Sequence, residues 1–448
     1  MDDAKKLWRW WQSLLAGYGE VFTRPGWVRL VQWVTGTVLC WEEHTITQIL
    51  VSLGLESRWR SLEHFAEYGC WDREAVERVT QQLIDRDYPG PRWGRYRVVA
   101  LDDTKEHRTS ANVWGTCTMH ESTARCPNRA ETVRVHNWVV LGDLLPGPRW
   151  QFLPHTTRLY CRVGQLPAGE KFHKKTQLAV AMLRQADAAS PTPVLAVFDG
   201  AYAVDTVVEP LLNPGLGQRC IDFVTRLRLD ARLYAPLIRK PGTNGRPRTW
   251  GQRLPAPQYH GQWSAKWQKG KAVVYGRRRK FRCKKLCCYW AVSGPDQAIH
   301  AFVFEVEGYA KPWYIVTSAL DLSPAQVVAA FAARFRQEDA FRDHKQRLGM
   351  EECRAWTKEP ILRTFQVQMI AMTLLRLLQR RVDVAWGKGT WWLLPEWKPH
   401  KQHPSVLDLR RLLWRHRGSF SQFLLDLEEI EKVPATLPAD RKLVARAA

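Results

Sequence analysis

The chain has 448 residues, of which 45% are hydrophobic, and its 67 lysines and arginines against 44 acidic residues give a formal net charge of +23. The length suggests two to four domains at about 100–200 residues each, and the hydrophobic fraction excludes a disordered chain. No run of about 18 uninterrupted apolar residues occurs and the N-terminal residues lack the order of a signal peptide, so we expect a cytoplasmic protein without a membrane segment. Because lysine and arginine displace counterions from phosphate backbones, the charge favours a nucleic-acid partner over the alternative of an ordinary basic enzyme.

The ten cysteines are scattered along the chain, which favours reduced thiols over a disulfide framework. Two clusters contain metal-binding atoms: Cys117, His120 and Cys126, and then Cys283, Cys287 and Cys288. Neither cluster has the paired spacing of a structural zinc site. We therefore favour free thiols, with zinc as the alternative.

The first 92 residues have helical patterns, because apolar residues recur at helical spacing over 28–33, 51–62 and 75–84. Turn formers between Pro89 and Gly94 predict a boundary near residues 90–95.

Beyond this boundary the pattern becomes rich in short apolar strands. Strands are predicted over 96–101, 133–144, 150–154 and 194–198, and a helix over 178–185. The run at 194–198 is apolar throughout, as in strands that are buried on both faces. This order predicts a mixed α/β sheet with flanking helices.

Residues 230–312 differ in composition, being rich in Pro and Gly at 241–247 and without an acidic residue from Lys269 to Lys285. Alternating patterns over 272–275, 289–292 and 301–306 predict a small antiparallel sheet in an inserted β-rich subdomain. A core strand follows at 313–317. Ser323 and Pro324 then begin a long predicted helix, and about 355–430 is expected to be mostly helical, including 361–378.

Carboxylates occur at three positions that suit catalysis. Asp102 and Asp103 lie at the end of a predicted strand, and Asp199 follows another, where open α/β sheets place ligands. Glu338 lies in the helix that begins near Pro324. Two Asp on neighbouring strands and a Glu on an adjoining helix can hold two divalent metals, and Mg²⁺ keeps water ligands that leave room for a phosphate.

The helix around Glu338 has an unusual face. Phe331, Arg334, Glu338, Phe341 and Lys345 are spaced at 3, 4, 3 and 4 residues, which places them on one side of a helix. An acid flanked by two cations suits a site that binds phosphate. The alternative is an ordinary surface ion pair between Arg334 and Glu338.

These pieces together resemble the cut-and-paste insertion-sequence transposases of bacteria, which are DDE enzymes with a ribonuclease-H-like core. The spacing Phe331-x2-Arg334-x3-Glu338-x6-Lys345 is similar to the tyrosine–arginine–glutamate–lysine signature of that family, with Phe331 in place of the tyrosine. Segments 100–104, 135–141, 194–199 and 313–318 resemble other parts of the family in the same order, so the resemblance covers residues 95–380. It implies a ribonuclease-H-like mixed sheet with flanking helices.

The resemblance implies that Asp102, Asp199 and Glu338 are the catalytic carboxylates and hold two Mg²⁺ ions, with Mn²⁺ as a substitute. Asp103 is the contender for Asp102. Such cores usually have Asp-x-Thr or Asp-x-Ser, which Asp102 and Thr104 fit. Adjacent strand residues also face opposite sides, so one of the two aspartates is expected to reach the metals.

The expected DNA contacts lie on both sides of this centre. By resemblance, Arg334 and Lys345 would hold phosphates beside the cut, with Arg342 nearby, and Trp313 would stack on a displaced base; core packing is the alternative for Trp313. The basic run 269–285 is expected to contact the DNA backbone through Arg277, Arg278, Arg279 and Lys280, with a solvated charged loop as the alternative.

We therefore expect a DNA transposase that cleaves and joins DNA at terminal inverted repeats, acting as a homodimer on DNA. The predicted parts are a helical DNA-binding region at 1–94, a catalytic core at 95–229 and 313–380, a β-rich insertion at 230–312 and a C-terminal helical region at 381–448. The alternatives are a transposase-derived DNA-binding regulator without catalysis and a ribonuclease-H-like nuclease without strand transfer.

Overall fold

The computed structural model describes residues 2–121, 131–147, 149–238, 248–387 and 391–419. The helices are α1 Asp2–Ala16, α2 Arg24–Leu39, α3 Ile46–Val51, α4 Trp59–Tyr68, α5 Arg73–Asp87, α6 Lys175–Ala188, α7 Asp205–Leu212, α8 Pro324–Ala333, α9 Phe335–Arg347, α10 Lys358–Trp386 and α11 Val406–Arg415. The strands are β1 Arg97–His107, β2 Cys117–His120, β3 Thr132–Leu145, β4 Gln151–Tyr160, β5 Val194–Phe198, β6 Asp222–Arg226, β7 Leu233–Tyr234, β8 Gln268–Val274, β9 Arg277–Trp290, β10 Ala298–Val306 and β11 Trp313–Thr317.

Helices α1–α5 pack around α10 and α11 in one apolar core. Helix α2 begins after Thr23 and helix α5 after Asp72, and the side chain of each of these capping residues accepts a hydrogen bond from a backbone N–H of the first turn. The segment 51–62, where the apolar spacing indicated helix, is divided between the end of α3 and the start of α4. Gly54 adopts a left-handed backbone with φ +68°, which ends α3 and turns the chain toward α4.

One sheet forms the centre of the fold, in the order β2-β3-β1-β5-β6-β11-β10-β9-β7, with β4 on β3 and β8 on β9. Strands β1, β5 and β6 are parallel to one another, and β3 and β4 add antiparallel neighbours. Apolar side chains on its two faces form two cores: one lies under α8 and the start of α10, and the other under α6 and α7. This arrangement confirms the predicted ribonuclease-H-like mixed α/β fold.

The position of Asp102 differs from the prediction in one respect, because β1 does not end there. The strand continues to His107, paired with β3, while its parallel pairing with β5 stops at Leu101 and Phe198. Asp102 therefore lies where the parallel part of the sheet ends rather than at a strand terminus.

The predicted strands of the insertion are present, but they do not form a separate sheet. Strand β10 pairs with both β9 and β11, so that β7–β10 extend the core sheet at one edge. The Pro/Gly-rich segment at 241–247 lies outside the described residues.

The long helix predicted from Pro324 is interrupted at Arg334, where α8 ends and α9 begins. Ser323 caps α8 as predicted, in a reciprocal capping box with Gln326. At the break, bonds from Arg334 N–H to the Phe331 carbonyl and from Gln337 N–H to the Arg334 carbonyl follow a tighter, three-residue pattern.

The C-terminal part is helical in α10 and α11, and residues 420–448 lie outside the described residues. By length and composition α10 could cross a membrane, but 94% of its most apolar window is buried in the fold. It is the central core helix of the helical unit.

Candidate active site

Three carboxylates surround the guanidinium of Arg334. Nη1 of Arg334 lies 2.8 Å from Oδ2 of Asp102, and Nη2 lies 2.9 Å from Oε1 of Glu338 and 3.7 Å from Oδ1 of Asp199. The structure thus brings together the three acids that the sequence singled out. It also joins Arg334 to all of them rather than to Glu338 alone.

Strand alternation explains why these groups meet. Val98 and Ala100 on β1, and Val197 on β5, face the core under α8. Because every second residue of a strand faces the same side, Asp102 on β1 and Asp199 after β5 face that side too. Since Leu101 is paired with Phe198, the two aspartates follow at the same level of neighbouring parallel strands. The break between α8 and α9 places Arg334 and Glu338 over that point.

Asp102 is the most buried of the three acids, and burial raises the pKa of Asp102 to about 7. The charges of Asp103 and Asp199 act in the same direction, whereas the Arg334 guanidinium lowers the pKa. Asp199 and Glu338 remain 41% and 43% exposed. The site therefore has a surplus of carboxylates that one guanidinium does not balance.

Asp103 points to the opposite face of the sheet. Its Oδ2 accepts a hydrogen bond from Lys175 Nζ at 2.9 Å, and its Oδ1 accepts one from the Tyr202 hydroxyl at 3.1 Å. Asp103 faces the same side of β1 as Val99 and Leu101, which is the side covered by α6, and both of its partners lie on that side. Asp103 does not contact Arg334, so the geometry separates it from the other three acids.

The metal-binding capacity of the site depends on these carboxylates. Within the ranges that the structure describes, no group of three or more His, Cys, Asp or Glu side chains has the spacing to hold a metal ion, and Arg334 lies among the acids instead. Hard carboxylate oxygens nevertheless suit Mg²⁺ or Mn²⁺. The oxygen donors of these acids are therefore of the type that suits a hard divalent cation, while in this structure the Arg334 guanidinium lies between them.

The cysteine clusters do not form a metal site among the described residues. Cys117 and Cys161 are buried next to each other. The sequence spacing did not suggest Cys161 as a neighbour of Cys117. Cys126 lies outside the described residues. Cys283 and Cys288 are buried thiols and Cys287 is exposed.

Lys345 and Arg342 lie on α9 beyond the three acids. Lys345 forms an ion pair with Glu351 at 2.9 Å, and Arg342 pairs with Asp339 at 2.9 Å. Neither contacts Asp102, Asp199 or Glu338. Their predicted phosphate contacts stay predictions.

Trp313 is half-buried in an aromatic cluster beside the site. Its ring centroid lies 5.0 Å from Tyr309, 5.8 Å from Tyr275 and 6.1 Å from Phe331. These contacts support the packing interpretation, and base stacking by Trp313 stays a prediction.

The basic run forms the hairpin of β8 and β9. Arg277, Arg278 and Lys280 are exposed, while Arg279 donates to the Glu307 carbonyl and lies 5.2 Å from the Tyr309 ring centroid. A groove of about 910 Å³ follows the hairpin, and its lining includes Lys269, Lys271, Lys280 and Arg282. The run is therefore a folded basic strand pair rather than a loop.

Three residues near the site were missed from sequence. Lys175 and Tyr202 contact Asp103 from separate elements, and no short-range pattern links them to it. Tyr275 lies at the tip of the β8–β9 hairpin, with its ring centroid 5.3 Å from that of Phe335 at the start of α9. The dipeptide Tyr275-Gly276 between two alternating runs was the available signal for that turn.

The parallel strands β1, β5 and β6, together with the carboxylates that lie where their pairing ends, define a ribonuclease-H-like fold of the endonuclease class. A family model described as a DDE superfamily endonuclease matches residues 19–283, which is more than half of the chain. The chain therefore belongs to the DDE superfamily endonucleases. The match includes Asp102 and Asp199 and ends before Glu338. A search of curated proteins found no match.

Proposed function

We propose that the protein is a DNA transposase of the cut-and-paste type, which cleaves DNA at terminal inverted repeats and joins the freed ends to a target. The observation that carries this is the meeting of Asp102, Asp199 and Glu338 around Arg334 on one face of a DDE endonuclease fold. The net charge of +23 and the basic β8–β9 hairpin support a DNA substrate.

In this mechanism Asp102, Asp199 and Glu338 would hold two Mg²⁺ ions, or Mn²⁺ in their place. When bound, these ions supply an activated water and neutralise charge on the leaving oxygen. Arg334, released from the carboxylates, binds a phosphate oxygen of the scissile strand. Asp103, bonded to Lys175 and Tyr202, fixes the β1 backbone next to Asp102. Hydrolysis of a phosphodiester bond frees a 3′-hydroxyl and leaves a 5′-phosphate. The 3′-hydroxyl then attacks a phosphorus of a second DNA strand, forming a new phosphodiester bond as the bond to that strand's own 3′-oxygen breaks and the oxygen leaves.

The first experiment compares Glu338→Gln with the natural protein in nicking of supercoiled plasmid DNA with Mg²⁺ or Mn²⁺. The variant should bind a random-sequence DNA duplex normally and lose nicking, since a charged ligand is removed while the basic surface remains. Glu209→Gln, at an exposed site on α7, is the matched control and should nick normally. Normal nicking by Glu338→Gln would refute the assignment.

Two other functions remain as alternatives to test. A DNA-binding regulator derived from a transposase would bind DNA without nicking it in either metal. A nuclease of the same fold would nick DNA but fail to join a 3′-hydroxyl end to a second duplex. A strand-transfer assay with a pre-cut duplex therefore separates the transposase from the nuclease.

The proposal extends to assembly and location. Two transposon ends must be processed together, so we expect a homodimer on DNA, in the cytoplasm and associated with the nucleoid of a prokaryote. Inverted repeats flanking the gene would support the assignment as a transposase, and sedimentation of the protein with and without DNA would test the dimer.

A further inference from the structure

The tip of the β8–β9 hairpin has an unusual backbone. Tyr275 and Gly276 form the two-residue turn, with φ +50° and +79°, and Tyr275 is the one non-glycine residue with positive φ in the described part of the chain. Turns of this kind favour Asn, Asp or Gly at the first position, because a larger side chain is strained there. A tyrosine at this position therefore lowers the stability of the turn, and such strain is concentrated at functional sites.

The turn lies against the helix break that carries Arg334. The Tyr275 ring centroid is 5.3 Å from that of Phe335, and a Cβ built on Gly276 would lie 3.9 Å from Nη2 of Arg336. Strand β8 also packs on α8. The hairpin thus brings Tyr275 next to the first turn of α9, which contains Glu338.

The side chain of Tyr275 has a fixed ring and an unused hydroxyl. Trp313, Tyr309 and Phe335 contact the ring at 5.3–5.9 Å between centroids. No described residue hydrogen-bonds the hydroxyl, and the side chain remains 37% exposed. Burial and the neighbouring Tyr309 raise the pKa of Tyr275, so the phenol stays protonated as a hydrogen-bond donor.

We propose that the Tyr275 hydroxyl donates a hydrogen bond to a phosphate oxygen of the DNA strand bound beside Glu338, which makes Tyr275 a DNA-binding residue of the active site. This rests on the proposed function, because it requires DNA at the Glu338 site. The aromatic contacts hold the ring beside Phe335 at the start of α9, and the hydroxyl adds a neutral donor to this part of the surface.

The test compares Tyr275→Phe, which keeps the ring, with the natural protein. DNA affinity is measured with a random-sequence duplex, in a Glu338→Gln background that prevents cleavage, and nicking is measured on supercoiled plasmid in the unaltered background. A hydrogen bond to a charged acceptor predicts a loss of affinity of about tenfold to a hundredfold. The slope of affinity against salt should not change, since a hydroxyl releases no counterion.

Two controls make the result specific. Tyr259→Phe, at an exposed tyrosine elsewhere in the insertion, should bind and nick DNA normally. Tyr275→Asn suits the turn but lacks the ring, so it should weaken DNA binding at least as much as Tyr275→Phe while folding normally in a thermal unfolding assay.

The outcomes are distinguishable. If the natural protein binds and nicks DNA and Tyr275→Phe behaves identically, the hydroxyl has no such role and only this inference fails. A Tyr275→Phe variant with lower thermal stability and a changed salt slope would show a packing role and also overturn it. If the natural protein neither binds nor nicks DNA, the proposed function fails and this inference with it.

Discussion

Nη1 of Arg334 lies 2.8 Å from Oδ2 of Asp102, although 232 residues separate the two in the chain. The same guanidinium reaches Glu338 and Asp199, so one cation serves three acids of the candidate active site. It supplies part of the positive charge that burial of Asp102 requires. Any divalent cation that binds these carboxylates must compete with it.

Replacing Arg334 with Ala should lower the free energy of unfolding in EDTA by about 1–3 kcal/mol, because its charge-assisted hydrogen bonds to Asp102 and Glu338 and its longer ion pair with Asp199 are lost. Mg²⁺ or Mn²⁺ should then raise the melting temperature of the variant more than that of the natural protein, since its site is open to the cation. Arg336→Ala is the matched control, because Arg336 pairs with Asp339. An equal response to metal in all three proteins would contradict the competition.

Asp102 and Asp103 can be told apart by single amide substitutions. Asp102→Asn should abolish plasmid nicking, since Asp102 shares the face of Asp199 and Glu338. Asp103→Asn removes only a supporting contact with Lys175 and Tyr202, so nicking should fall by about 10–100-fold, as for other outer partners of metal sites. The reverse order would assign the role to Asp103.

The local patterns predicted much of this site because they are short-range. The apolar strand ending before Asp199 and the 3–4 spacing of Arg334 and Glu338 depend on neighbours within a few residues. The alternation of a strand likewise separated Asp102 from Asp103 before any contact was known.

What the sequence did not predict depends on long-range packing. The helix break at Arg334 follows no proline or glycine, so local patterns predicted one continuous helix. The joining of the insertion to the core sheet depends on the pairing of β10 with β11. The contact of Lys175 with Asp103 crosses 72 residues, a distance over which spacing carries no information.

The β8–β9 hairpin has like charges directly opposite each other. Lys271 is paired with Lys280 across the two strands. The other basic pair, Lys269 with Arg282, already has an anion beside it, because Arg282 also pairs with Glu305 on β10. Such pairs destabilise a sheet unless an anion lies over them. Lys271→Gln with Lys280→Gln should therefore leave stability unchanged or slightly higher and reduce the salt slope of DNA binding by up to about two.

The control for this pair is Arg411→Gln with Arg415→Gln, which removes two exposed cations from α11 and the same net charge. If both double variants change the salt slope equally, the effect comes from net charge and not from a phosphate contact at the hairpin. A slope that stays at the natural value in the hairpin variant would favour a solvated charged strand.

The stability of the protein in acid should depend on His344, a buried histidine of the core rather than a residue of the candidate active site. His344 on α9 is fully buried, donating from its ring to the Ala340 carbonyl, and burial lowers the pKa of His344 to about 4. Arg376 acts in the same direction, whereas the backbone bonds to Ala340 and Gln368 raise the pKa. Because the folded state binds this proton less readily than the unfolded chain, His344 opposes folding as the pH falls below about 6.5.

The expected effect is a difference between two proteins, because the other titrating groups are common to both; among them Asp102, with its raised pKa, titrates in the opposite sense to His344. The natural protein should exceed His344→Gln in free energy of unfolding at pH 7.5, and urea titrations should show that margin shrinking by about 2 kcal/mol by pH 5. His64→Gln, at an exposed histidine on α4, is the matched control for the substitution itself. A constant margin for His344→Gln would mean that His344 is charged in the folded protein.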